Sequence, residues 1–101
     1  MKRVLVRYTV KADRSEENEN YIRKVFDDLL ETRPGGLRYA SFKLEDGVSF
    51  VHLASIETDD GSNPLSQSAA FKAFQERIKE RCEKPPVAVD LHEIGSYNLF
   101  N

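Results

Sequence analysis

The chain contains no tryptophan, one methionine and one cysteine. A single thiol, Cys82, excludes an intramolecular disulfide, and with only His52 and His92 beside it there is no ligand spacing of the zinc-binding kind. Cys82 has no histidine next to it in sequence and reads as a small apolar helix residue, not a nucleophile. Neither sign of charge dominates: 15 Lys and Arg against 17 Asp and Glu give a net charge of −2. These charges are scattered, so nucleic acid and anionic lipid are disfavoured as partners. Apolar runs are short as well, none approaching the roughly 20 residues of a membrane helix. Met1 to Val6 begins like a secretory signal, but Arg7 cuts the apolar stretch, so the expectation is a cytoplasmic protein without membrane association. Internal repeats and low-complexity segments are missing too.

What is present is enough for one core. With 101 residues, 40% of them hydrophobic and 32% charged, residues 1–101 read as a single folded domain. Val4, Val6, Tyr8 and Val10 alternate with Leu5, Arg7 and Thr9, the period of a strand. Asp13 and Glu16 have the spacing of a capping box, which predicts a helix from about Arg14. Tyr21, Ile22, Val25, Phe26, Leu29 and Leu30 then form one apolar stripe, ended by Pro34-Gly35-Gly36. From Leu37 the pattern is again that of a strand, and Asp46-Gly47 between two such runs signals a hairpin. A two-residue loop there pairs Phe42 with Val51, Ser41 with His52 and Tyr39 with Ala54.

One hairpin face then holds Phe42, Val51 and Leu53, the other Tyr39, Ser41, Phe50, His52 and Ile56. Residues 58–64 are a polar loop, either a lid or a simple connection. A second helix is expected over roughly Ser68 to Glu83, ended by Pro85-Pro86, and a last strand contains Val87, Val89 and Leu91. The order is βαββαβ. Right-handed crossovers make this an α+β, ferredoxin-like fold, a four-stranded antiparallel sheet with both helices on one face. Since the hairpin is apolar on both faces and helices cover one, the other needs a cover, and a second copy is the expected one: a homodimer.

Ser68-Ala69-Ala70-Phe71-Lys72-Ala73-Phe74-Gln75 resembles the stretch that opens the second helix of the antibiotic biosynthesis monooxygenase-like family, and the element order resembles that family over nearly the whole chain. The resemblance implies a dimeric α/β barrel in which two ferredoxin-like sheets face each other. It implies activities ranging from cofactor-independent oxygenation through haem degradation to none demonstrated. Members often carry a glutamate in the preceding strand, where this chain has His52, and a histidine before the helix, where it has none nearby.

If the second hairpin face lines a barrel interior, Tyr39, Ser41 and His52 project into it and Arg7 joins them from the first strand. His52 would be a proton acceptor and Arg7 would stabilise an enolate or peroxide anion. Tyr39, Ser41, Phe50, Phe71 and Phe74 would contact a small aromatic ligand. On this reading activity belongs between the two sheets, with no cofactor and no metal. Alternatively His52 is a hydrogen-bonded structural residue paired with Ser41, and Phe71 and Phe74 are core. Asp90 and His92 share a strand face, as an acid–base pair or as part of an exposed edge. An RNA-binding module shares the βαββαβ order, and Gly47, Phe50 and Val51 echo its third-strand motif. Asp46, Val48 and Leu5 break that pattern where a base or a stacking aromatic belongs.

Overall fold

Alternation makes Lys2–Val10 a strand, β1, in a computed structural model that describes residues 1–100. Helix α1, Ser15–Thr32, starts where expected but without the capping box: Asp13 lies in a 3-10 turn over Ala12–Arg14, and Arg14 at the N-cap offers no side-chain cap. The Ser15 hydroxyl instead donates to the Gly47 carbonyl at 2.6 Å, tying the helix start to the hairpin. Glu16 and Glu17 remain in the first turn, where the helix dipole favours negative charge. Arg33, in the left-handed region at φ 47°, ends the helix by donating its N–H to the Leu29 carbonyl. Along the stripe Val25 is buried, but Leu30 is 64% exposed and lies off the core.

Strands β2, Leu37–Lys43, and β3, Ser49–Ile56, pair in the expected register, with Phe42 opposite Val51, Ser41 opposite His52 and Tyr39 opposite Ala54. The loop that joins them is longer than two residues. Gly47 has φ 80° but Asp46 is not in the positive region, so the type I′ turn is excluded. The turn closes through the Gly47 N–H on the Leu44 carbonyl, while the Asp46 carboxylate accepts from the Val48 and Ser49 amides.

The second helix is shorter than the spacing predicts. Helix α2 spans Ala69–Glu76, and a single turn, α3, spans Ile78–Arg81. Cys82 is the first residue of strand β4, Cys82–Leu91, not the last of a helix. Pro85 and Pro86 lie inside this strand instead of ending the helix. The sheet order β2-β3-β1-β4 explains why they are tolerated: β4 is an edge strand, and its pairing with β1 shifts register around them, between Arg7 and Thr9.

Tyr8, Val10 and Phe50 on one sheet face pack with Val25, Leu65 and Phe74 from above to form the core. The opposite face carries Leu5, Leu53, Val51, Phe42, Val87 and Val89, as the strand registers require. Phe42 and Val87 are more than half exposed. One corner of that face is covered by the chain end: Arg3 pairs with Glu93 at 2.6 Å and lies 4.0 Å from the Phe100 ring centroid. Among the described residues no helix is long and apolar enough to cross a membrane.

Gly36, at φ 75°, immediately precedes β2, where a Cβ would sit 2.7 Å from Thr58 Cγ2. Its carbonyl accepts from the Glu57 N–H at 2.7 Å, so the backbone cannot easily withdraw. Gly36→Ala should destabilise the fold by roughly 1–3 kcal/mol, seen as a lower urea midpoint at unchanged slope. An unchanged midpoint would show that Thr58 gives way freely.

Candidate functional site

The register decides which polar residues meet. His52 lies opposite Val6 and Ser41, on the face beneath the helices, whereas Arg7 lies opposite Val51 and Val87 on the open face. Strand pleating turns adjacent residues to opposite faces, so Arg7 cannot join the His52 cluster. The expected four-residue group therefore loses Arg7. It also lies inside one chain, between sheet and helices, and not between two facing sheets.

His52 is 4% exposed. Its Nε2 is 2.7 Å from the Tyr8 hydroxyl, and its Nδ1 is 2.9 Å from the Tyr39 hydroxyl and 2.7 Å from Ser41 Oγ. Both ring nitrogens are thus engaged, and His52 has no spare lone pair for a ligand proton. Burial lowers its pKa from 6.5 to about 4, so the imidazole is neutral at physiological pH. Burial also pushes the Tyr39 phenol up to about 12 against the opposing hydrogen bond from Ser41. Tyr8 is raised by burial as well, opposed chiefly by its bond from Asn18.

A cavity of about 520 Å³ opens above this cluster. Val6, Tyr8, Tyr39 and His52 contribute to its sheet side, Leu65, Phe71, Phe74 and Ile78 to its helix side, and the exposed Gln75 and Lys79 mark its mouth. Volume and apolar lining suit a small organic ligand. The aromatic walls are locked to one another: Phe71 meets Tyr39 edge-on at 6.4 Å, Phe74 lies 5.3 Å from the His52 ring, and Phe26 stacks on Tyr39 at 5.3 Å. Ser68 sets the helix that carries two of them. Its hydroxyl accepts from the Phe71 N–H and donates to Asp28 of α1, which caps α2 and fastens it to α1.

Of the residues singled out in the sequence, Tyr39, His52, Phe71 and Phe74 line the cavity, and Ser41 touches it through His52. Phe50 does not line it; it is 1% exposed and stacks on Tyr8 within the core. Asp90 lies 4.0 Å from Lys2 on the exposed edge, and His92 is exposed beyond β4. From the 58–64 loop Asn63 reaches the cavity, and the same side chain caps the turn Pro64–Gln67 by accepting from the Leu65 N–H. Among the described residues no group of three His, Cys, Asp or Glu side chains could hold a metal ion.

Two buried polar residues that connect to the His52 cluster through Tyr8 were missed, Asn18 and Arg81, 0% and 1% exposed. The signal for both was position. Asn18 stands three and four residues before Tyr21 and Ile22, and Arg81 three after Ile78, so both fall on apolar stripes.

No family model matches the chain, and no curated protein matches it in sequence. Solved structures do. A Nitrosomonas europaea protein provisionally named an antibiotic biosynthesis monooxygenase superposes with a TM-score of 0.76 at 18% identity, over 94% of this chain and 100% of its own. SnoaB, a cofactor-independent oxygenase from Streptomyces nogalater, gives 0.69 at 14% identity over 96% of both chains. A second Nitrosomonas europaea protein, of unknown function, gives 0.73 at 10% identity over 95% of this chain and 91% of its own. The likeness is one of fold. It bears out the expected four-stranded antiparallel α+β architecture of the antibiotic biosynthesis monooxygenase structures.

The buried neutral imidazole has a consequence for stability. An unfolded chain binds a proton at His52 below about pH 6.5 that the folded chain refuses until about pH 4. Stability should therefore fall as the pH drops through this window, by roughly 3 kcal/mol at its lower end. Urea unfolding from pH 7 to 4 should show this slope in the wild type and a flatter one in His52→Gln. Equal slopes would mean that other groups dominate.

Proposed function

We propose that the chain forms a cytoplasmic homodimer, and that each protomer binds a small aromatic ligand in the cavity beneath its own helices. We further propose that the ligand is a hydroxylated aromatic or polyketide-like compound, oxidised by O2 without a cofactor. The observation that carries this reading is the 520 Å³ cavity itself, in which aromatic side chains line the space and the polar end is the His52 hydroxyl cluster. Such a substrate needs little from the protein. Its phenolate supplies the electrons: a carbon–oxygen bond forms with O2, and loss of water from the resulting peroxide leaves a quinone. A phenol and O2 thus give a quinone and one water.

The protein's part would be to hold the ring between Phe71, Phe74 and Tyr39, to exclude water, and to stabilise the anionic oxygen through the Tyr39 hydroxyl. This differs from general-base catalysis by His52, whose nitrogens are already occupied. That occupancy also favours a second reading, a dimer that binds the ligand without reacting. The RNA-binding reading loses its main residue, because Phe50 stacks on Tyr8 under the helices and is not displayed on the open face.

The dimer would form on the open face, where Phe42, Val87 and Val89 are exposed. Sedimentation at micromolar concentration should give a dimer for the wild type and a monomer for Phe42→Asp; a monomeric wild type would contradict the proposal. For activity, oxygen uptake should be followed with a dihydroxynaphthalene. Tyr39→Phe should lower kcat/KM by roughly 100-fold, the cost of removing one donor from a developing oxyanion. Binding without oxygen uptake would leave the non-catalytic reading, and absence of binding would end both.

A further inference from the structure

Arg81 is 1% exposed, yet no carboxylate is paired with it among the described residues. Its guanidinium lies 4.4 Å from the Tyr21 ring centroid and 5.5 Å from that of Phe74, and its Nη2 donates to the Phe74 carbonyl at 2.7 Å. Nη1 has no partner. Burying a charge this way is costly, and an apolar side chain of similar size would fill the space at less expense. Nε makes the remaining contact, to the Asn18 side-chain oxygen at 3.2 Å.

That contact is the first link of a chain. A guanidinium can only donate, so the Asn18 atom facing it must be the oxygen, and the Asn18 NH2 must face Tyr8. It does, at 2.9 Å from the Tyr8 hydroxyl oxygen. With that oxygen accepting from Asn18, the Tyr8 hydroxyl turns its own hydrogen to His52 Nε2, 2.7 Å away. A neutral imidazole that accepts at Nε2 carries its proton at Nδ1. Nδ1 then donates to Ser41 and Tyr39, and the Tyr39 hydroxyl is left with its hydrogen for the cavity.

We infer that Arg81 is a positioning residue: through Asn18 and Tyr8 it sets the His52 tautomer to Nδ1–H, making the Tyr39 hydroxyl a hydrogen-bond donor to the ligand. The tautomer follows from the order of these hydrogen bonds around a buried, neutral imidazole. The consequence for a ligand rests on the function proposed above, and it specifies that function: the group held at Tyr39 is an acceptor oxygen, a carbonyl or a phenolate.

The chain's direction can be reversed at one atom. Asn18→Asp keeps the shape, gives Arg81 a counter-charge and removes the donor to Tyr8. The Tyr8 hydroxyl then donates to Asp at 18, its oxygen accepts from His52, and a proton moves onto Nε2. Arg81→Met removes the donor that orients Asn18 and should leave His52 a mixture of tautomers. Proton–nitrogen correlation spectra of histidine-labelled protein read both directly, because protonated and bare ring nitrogens resonate far apart. The wild type should show His52 with Nδ1–H, Asn18→Asp should show Nε2 protonated, and near-ultraviolet dichroism should confirm that each variant is folded. Nε2–H in the wild type, or an unchanged tautomer in Asn18→Asp, would overturn the inference; should Arg81→Met fail to fold, Asn18→Asp decides alone. Affinity for 1,4-naphthoquinone, which offers only acceptor oxygens, should fall about tenfold in Asn18→Asp, the loss of one hydrogen bond. If the wild type binds no quinone while the tautomers behave as stated, the proposed function fails and the role of Arg81 stands.

Discussion

His52 is buried with hydroxyl groups as its hydrogen-bond partners, so the imidazole is neutral and each nitrogen must be satisfied within the fold. The requirement reaches every element around it. β1 must lie beside β3 with Val6 opposite His52, so that Tyr8, two residues further along on the same face, can reach Nε2. β2 must place Ser41 opposite His52, with Tyr39 two residues away on the same face. α1 must bring Asn18 over Tyr8, and α3 must bring Arg81 over Asn18. A slip of one residue in either strand pairing would turn these groups to the open face and leave the imidazole unpaired.

The sheet thus separates two tasks. Its helix-covered face combines core packing with a cavity whose polar end is the His52 cluster. Its open face carries apolar side chains that no helix covers, and association with a second copy is proposed there. Ser68 links fold and site: as cap of α2 and partner of Asp28 it sets where Phe71 and Phe74 stand above the sheet.

Much of this was legible in the residues. Alternation in Val4 to Val10, the stripe from Tyr21 to Leu29 and the Asp46-Gly47 turn suffice for the first strand, the first helix and the central hairpin, and for the register of β2 on β3. The turn type was not, because Asp46 uses its carboxylate to cap the loop instead of entering the left-handed region. Nor was the end of the second helix, since an edge position lets β4 absorb two prolines that a central strand would reject. Grouping Arg7 with His52 failed on parity. Val4, Val6, Tyr8 and Val10 form the more apolar face of β1, the face that meets the helices, and Arg7 alternates away from it. Asn18 and Arg81 were hidden by chemistry: a polar residue on an apolar stripe reads as exposed until its partners, from distant segments, are brought to it.

On the proposed function the ligand lies beneath the helices of a single chain and not between two sheets. Amide and aromatic chemical-shift mapping with a dihydroxynaphthalene under nitrogen tests it most directly, since binding is then read without turnover. A site beneath the helices gives saturable shifts at Tyr39, His52, Phe71 and Phe74 with Phe42, Val51 and Val87 unmoved. Shifts confined to the open face, with the His52 cluster silent, would contradict it.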